Sequence, residues 1–280
     1  MIRCGERNFD LKSRCHIMGV LNVTHDSFSD GGQFANADEA IAFAIRMFED
    51  GADIVDIGGE STNPFGSEPL SADDETARVL PVVKALVRRG FRQLSIDTRQ
   101  AEVARICLLE GASWINDVSA MTYDEHMVHE AKKADAVVLM HARGIPQVMQ
   151  KDVVYSDVVY DVANYLRKQV ALCEESGITK DRIVVDPGIC FGKKLEHNVA
   201  LLRGLEAFQG IGAGVLSGVS RKSFLGEITG IKDPKARENA TLGAVAYSAL
   251  KGANILRVHN VKANREMLTV FEALNGGLKS

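Results

Sequence analysis

Six short apolar runs of the chain carry, at or near their C-terminal ends, a polar side chain able to bind or polarise a ligand. Asn22 lies in HIMGVLNVT (16–24), Asp56 in DIVDIGG (53–59) and Asp97 in LSIDT (94–98). Asn116 lies in SWINDV (113–118), Asp186 in IVVDPG (183–188), and Arg257 with His259 in ILRVHN (255–260). A polar group inside a strand is costly unless it is satisfied. Any one of these residues alone reads as an ordinary strand-ending residue that caps a loop. Together they read as the lining of a ligand pocket.

Asp97, Asn116 and Asp186 offer acceptors and an amide in mostly apolar surroundings, which suits a heterocycle carrying amino and ring N–H groups. A guanidine-like edge, as in a pterin, would meet them through a bidentate contact. Arg257 and His259 are two apart on one strand and so face the same way. With Arg221 and Lys222 of SRKS they are expected to form a cationic patch suited to phosphate. SRKS by itself is read equally well as a solvated basic turn.

The elements that must position these groups repeat along the chain. Two further apolar runs, AVVLMH (136–141) and GVLSGVS (214–220), bring the number of candidate strands to eight. Near-continuous apolar runs are what parallel strands covered on both faces require. Between them, 37–50 places Ile41, Ala44, Ile45 and Phe48 on one helical face, and 157–176 does the same with Val159, Val162, Leu166 and Val170. Eight strand–helix units in 280 residues, with no linker-like stretch, predict a single-domain α/β protein, a (β/α)8 TIM barrel over 1–280. A doubly wound sheet is the alternative, but no GxGxxG turn follows the first strand. Gly-Ala opens three strands, in GADIVDI (51–57), GASWIND (111–117) and GANILRV (252–258). Each glycine falls where a helix C-cap with positive φ belongs. The sixth residues of these repeats, Asp56, Asn116 and Arg257, should reach the same end of the barrel, and that carboxyl end is where such folds assemble sites.

A net charge of −4 gives no general affinity for nucleic acid. The five cysteines (4, 15, 107, 173 and 190) show no paired spacing, and no apolar run approaches membrane-spanning length, so a cytoplasmic enzyme is expected. HExxH, Walker A and GxSxG motifs are absent from the sequence. Two stretches, 22–34 and 58–71, are long and rich in turn formers, as substrate-covering loops are. Asn22 and Asp26 could offer oxygens to Mg2+, which usually bridges a diphosphate rather than filling a protein cage. Among the histidines, His259 is the functional candidate, His141 is ambiguous, and His16, His126, His129 and His197 are ordinary core or surface residues. Trp114 and Met140 read as barrel packing, although a thioether beside a flat ring would also suit Met140.

The segments MGVLNVTHDSFSDGG (18–32), DIGGEST (56–62), SIDTR (95–99), INDV (115–118), DPGICFGK (186–193), SRKSFLG (220–226) and RVHNVK (257–262) resemble, in order and spacing, the signature segments of the dihydropteroate synthases. The resemblance implies a transferase of folate biosynthesis. It would join 6-hydroxymethyl-7,8-dihydropterin pyrophosphate to p-aminobenzoate, with Mg2+, and be a sulfonamide target. It implies that Asp97, Asn116, Asp186 and Lys222 hold the pterin, with Arg257 against its face, and that Met140 joins them. Asn22, Arg257 and His259 would bind the diphosphate and its Mg2+, Asn22 being the metal ligand. Thr62, Asn63, Phe191, Ser220 and Lys222 would border the p-aminobenzoate side, and Asp26 and Asp56 would order the loops and the pterin side. The implied catalytic residues are Asn22, Lys222, Arg257 and His259, and the implied assembly is a homodimer.

Five positions depart from the pattern: His25 for a usual Pro, Asn63 for a usual Arg, an added Phe65, Cys190 for a usual Gly and Asn260 for a usual Asp. The first three fall on the loops rather than the pterin floor, which predicts an altered response to sulfonamides. Two other readings are set beside the synthase. One is a pterin-binding paralogue without turnover, kept open by His25 and Asn63. The other is a methyltetrahydrofolate:corrinoid methyltransferase, against which SRKSFLG and the first loop argue.

Overall fold

A computed structural model describes residues 1–23, 33–60, 70–143 and 153–277. His25, Asp26, Thr62, Asn63 and Phe65 lie outside the described residues. The chain opens with an antiparallel hairpin, β1 (Ile2–Cys4) and β2 (Arg7–Phe9), paired Ile2 to Phe9. Eight parallel strands follow and close into a barrel: β3 (His16–Asn22), β4 (Ile54–Gly58), β5 (Leu94–Asp97), β6 (Trp114–Asp117), β7 (Ala136–Met140), β8 (Ile183–Asp186), β9 (Gly214–Ser217) and β10 (Ile255–Val258). β10 pairs with both β3 and β9, which completes the ring.

Helices α1 (Gln33–Glu49), α2 (Ala72–Arg88), α3 (Ala101–Leu109), α4 (Met127–Ala131) and α5 (Val158–Glu175) surround the first strands. Helices α6 (Leu195–Arg203), α7 (Ser223–Thr229), α8 (Glu238–Leu250) and α9 (Val261–Glu272) surround the rest. The expected face of α5 is present, with Val162, Leu166 and Val170 buried. Its start is fixed by Asp157, whose side chain accepts from the Val159 and Tyr160 amides at 3.0 and 3.1 Å. On α1, Ala40, Ala44 and Met47 are buried while Ile41, Ile45 and Phe48 pack at the margin, so the buried face is rotated slightly from the expected one.

Alternation along each strand separates two cores. Val55 and Ile57, Ile115, Val137 and Leu139, Val185, and Leu256 and Val258 point outward against the helices. Ile54, Trp114, Ala136, Val138, Val184, Leu216 and Ile255 point inward and fill the lower barrel with Ile2, Cys4, Phe9 and Leu11 of the N-terminal segment. That segment plugs the amino end of the barrel, and the Trp114 indole N–H donates to the Arg3 carbonyl at 2.7 Å. Two residues further along the inward-facing files stand Asp56, Asn116, Met140, Asp186 and Arg257. The lower barrel is therefore an apolar plug and the upper barrel a polar floor.

The Gly-Ala repeats act as expected. Gly51, Gly111 and Gly252 take φ of +99°, +103° and +88°, leaving each helix for its strand through a conformation in which a Cβ would be strained.

Candidate active site

The three repeat residues meet. Asp56, fully buried on β4, accepts from the Asn116 amide at 2.9 Å and from the Arg257 Nε–H at 2.7 Å. Arg257 also donates through Nη2 to Asp97 at 2.7 Å. One guanidinium thus bridges two carboxylates at the top of the barrel. Asp56 sits beneath the cavity rather than in its lining, and its role passes through Asn116 and Arg257. Above it is a cavity lined by Asp97, Asn116, Val118, Met140, Asp186, Ile189, Phe191, Gly218, Lys222 and Arg257. Six of the seven residues expected at the pterin side line it, and so does Phe191.

Burial governs the electrostatics here. It pushes Asp97 well above the usual carboxylate range; Arg257 opposes the shift and Asp56 adds to it. Burial raises Asp186 to about 6, against the Gly188 amide, which donates to it at 2.7 Å, and against the charges of Lys222, Arg257 and Lys193. Lys222 is lowered by burial, and its Nζ stands 4.2 Å over the Phe191 ring. Burial would also lower Arg257, but Asp56 and Asp97 outweigh it and raise the group.

The expected four-residue cationic patch is not what forms. Arg221 has a left-handed backbone, φ +60°, and its Nε donates to the Glu238 carboxylate at the start of α8. His259 lies beyond the end of β10 and is lowered to about 3 by burial and by Arg221, Arg257 and Lys222, so its ring is neutral. Its Nδ1 lies 2.9 Å from the Ser220 hydroxyl, which in turn accepts from the His259 amide at 3.2 Å. Lys222 and Arg257 remain as the basic side chains facing the cavity. His259 and Ser220 are a neutral hydrogen-bonding pair beside them.

Asn22 is exposed at the rim, at the end of β3. Among the described residues no group of three or more His, Cys, Asp and Glu side chains could hold a metal ion. One neutral amide oxygen at the rim could supply a single ligand to a divalent cation held mainly by other oxygens.

Sequence reasoning missed several parts of this site. Ile189, Val118 and Gly218 line the cavity but carry no chemistry that sets them apart in sequence. Lys193 and His141 form a buried pair whose signal was present in DPGICFGK and MHARG without a partner to connect them. Arg99 holds Glu60 at 2.8 Å, and Gln100 donates to Glu75 at 2.5 Å and to the Leu70 carbonyl at 3.4 Å, so the turn after β5 grips the described residues on either side of 61–69. Two departures from the family pattern have structural accounts. Cys190 takes φ +70°, a conformation that favours the usual glycine. Asn260 caps α9, its side chain accepting from the Ala263 amide at 3.2 Å, a task Asn and Asp perform alike.

The family model described as pterin binding enzyme matches residues 18–259. The chain belongs to that family. This pterin-binding enzyme is 41% identical over 271 residues to the dihydropteroate synthase of Synechocystis sp., an alignment covering 96% of the chain and 93% of the relative. Among solved structures, it is similar to the Yersinia pestis dihydropteroate synthase in complex with a sulfonamide drug, at 38% identity and a TM-score of 0.91, covering 99% of this chain and 100% of that one. It is also similar to the Xanthomonas albilineans dihydropteroate synthase with 4-aminobenzoic acid, at 40% identity and a TM-score of 0.90, covering 98% of this chain and 97% of that one.

Proposed function

We propose that this pterin-binding enzyme is a dihydropteroate synthase, a single-domain transferase of folate biosynthesis. It condenses 6-hydroxymethyl-7,8-dihydropterin pyrophosphate with p-aminobenzoate to give 7,8-dihydropteroate and pyrophosphate. The observation that carries the reading is the Asp56–Arg257–Asp97 bridge, whose Arg257 and Asp97 line a cavity that also presents Asn116, Asp186 and Lys222. Two ionisable acceptors and an amide match the amino and ring N–H edge of a pterin, while two cations match its diphosphate.

Catalysis in this site needs no strong nucleophile. Lys222 and Arg257 stabilise negative charge on the departing pyrophosphate as the bond from the pterin methylene carbon to oxygen breaks. Asp97 and Asp186 stabilise the pterin cation left behind. The p-aminobenzoate nitrogen then forms the new bond to that carbon and gives up a proton. Electrostatic stabilisation and positioning supply the rate. Phe191, under Lys222, walls the aromatic-amine side, and the Ser220–His259 pair offers neutral hydrogen bonds to anionic oxygens. Magnesium, held by Asn22 and the diphosphate, would supply further neutralisation of the leaving group.

The large apolar side chains Ile228 of α7 and Tyr247 and Leu250 of α8 are exposed on the barrel's side, which supports a homodimer. No helix among the described residues is long and apolar enough to cross a membrane. Cys4, Cys15, Cys107 and Cys173 stand as thiols, in keeping with a cytoplasmic enzyme.

Expression in a bacterium lacking its own dihydropteroate synthase tests this reading. Growth without added folate end-products, lost in an Asp186→Asn variant, is the expected result. No growth despite soluble, pterin-binding protein would favour a paralogue without turnover.

A further inference from the structure

Lys193 ends the motif DPGICFGK and takes no part in the chemistry above. It is 3% exposed; its Nζ lies 2.9 Å from the neutral His141 Nδ1 and donates to the Phe191 carbonyl at 3.0 Å and the His141 carbonyl at 3.3 Å. All three contacts are to neutral groups, and no carboxylate is within ion-pairing distance of it among the described residues. A buried ammonium without a paired charge is a poor choice for stability alone. Burial lowers Lys193 to about 7, and Asp186 on the cavity floor opposes that shift.

The segment that Lys193 holds has no regular structure of its own. Gly188, Cys190 and Gly192 take φ of +69°, +70° and +69°, so three alternate residues are left-handed. At Gly188 even a Cβ would lie 1.9 Å from the His141 carbonyl oxygen. Side chains from elsewhere fix this segment: the Tyr155 hydroxyl donates to the Gly192 carbonyl at 3.1 Å, and Asn198 accepts the Cys190 amide at 2.8 Å. Lys193 ties the segment to the exit of β7 through His141, whose own amide donates to the Asp186 carbonyl at 3.0 Å. It joins the carbonyl of the wall residue, Phe191, to the exit of β7 and to the strand that carries Asp186.

We propose that Lys193 is a positioning residue for the aromatic-amine side of the site. Its ammonium ties the Phe191 carbonyl to His141, and so sets where the Phe191 ring and the Lys222 ammonium above it meet p-aminobenzoate. This inference rests on the synthase reading. It assigns Lys193 and His141 a shared role in choosing and orienting the second substrate, distinct from holding the pterin.

Steady-state kinetics of Lys193→Met, His141→Leu and His141→Asn against the unaltered protein test it, with folding checked by thermal unfolding. Losing one buried tie of this kind should raise KM for p-aminobenzoate about tenfold in Lys193→Met and His141→Leu, with KM for the pterin pyrophosphate within about threefold. His141→Asn, which keeps an acceptor near the position of Nδ1, should recover most of the loss. Equal rises for both substrates, or unchanged constants with only a lower unfolding midpoint, would overturn the proposal. If Lys193→Met does not fold, His141→Leu carries the same decision, since it removes one acceptor and leaves the lysine in place. An inactive unaltered protein would sink the synthase reading itself, whereas active protein with unmoved variants sinks this proposal alone.

Discussion

Arg257 and Asp97 lie 160 residues apart in sequence and meet at 2.7 Å across the top of the barrel. The same guanidinium holds Asp56 at 2.7 Å, so one side chain from β10 bridges two buried carboxyl groups of β4 and β5. Removing it would leave two buried carboxyl groups without their shared guanidinium partner in a low-dielectric pocket. Arg257→Gln should therefore lower kcat/KM by about 10²- to 10³-fold, the loss expected for one electrostatic contact made at the transition state. Steady-state pyrophosphate release measures this. A loss under tenfold would place the chemistry elsewhere.

Asp186 supplies a pH dependence whose sign is fixed. Its pKa in the folded protein is raised by burial to about 6, above the ordinary carboxylate value. The stability linked to this group is therefore fully present below the unfolded pKa and lost as pH rises through about 6. Ligand binding runs the other way, because the ionised form accepts the pterin N–H groups. Affinity for a dihydropterin should rise from pH 5 to 7 in calorimetric titrations, and Asp186→Asn should flatten that rise. An equally steep rise in the variant would assign it to another group.

His259 should carry no charge at neutral pH. Its pKa is lowered to about 3, so the stability it contributes is present above the unfolded value near 6.5 and is lost as pH falls toward 3. Imidazole resonances followed by NMR should show no protonation of this ring between pH 8 and 5. A midpoint near 6.5 would restore His259 to the cationic patch that its sequence position suggested.

The N-terminal hairpin should be needed for stability rather than for chemistry. Trp114 is fully buried in the barrel's lower end and donates to Arg3, and it is the chain's only tryptophan. Trp114→Ala should cost about 3–5 kcal/mol by chemical denaturation, as truncations of large buried side chains do, while leaving KM for both substrates within about threefold. A changed KM in a fully folded variant would show that the plug communicates with the site.

Cys190 offers a test of local strain. A non-glycine residue in the left-handed region costs about 1–2 kcal/mol, partly offset in the Gly variant by about 0.5–1 kcal/mol of unfolded-chain entropy. Cys190→Gly should leave the melting temperature unchanged or raise it by a few degrees. A fall of several degrees would mean that the packing of the thiol outweighs the strain.

The barrel and its polar floor were legible because they rest on local regularities. Period-two alternation fixed which side chains face inward, and the Gly-Ala repeat aligned Asp56, Asn116 and Arg257 at one height. Contacts that depend on how distant segments close were not legible. The hairpin of Ile2–Phe9 is too short to carry a pattern, and its partner Trp114 lies more than a hundred residues away. Arg221 and Lys222 are adjacent and alike in charge, yet a left-handed backbone at Arg221 sends one to Glu238 while the other stands over Phe191. Lys193 was hidden for a similar reason, since its three acceptors lie on two separate segments.

The most direct test of the account is pyrophosphate release by the purified protein from the pterin pyrophosphate with Mg2+, measured with and without p-aminobenzoate. The account predicts release that depends on p-aminobenzoate and matches the dihydropteroate formed mole for mole. Tight pterin binding with no release under either condition would contradict it and identify a pterin-binding protein without turnover.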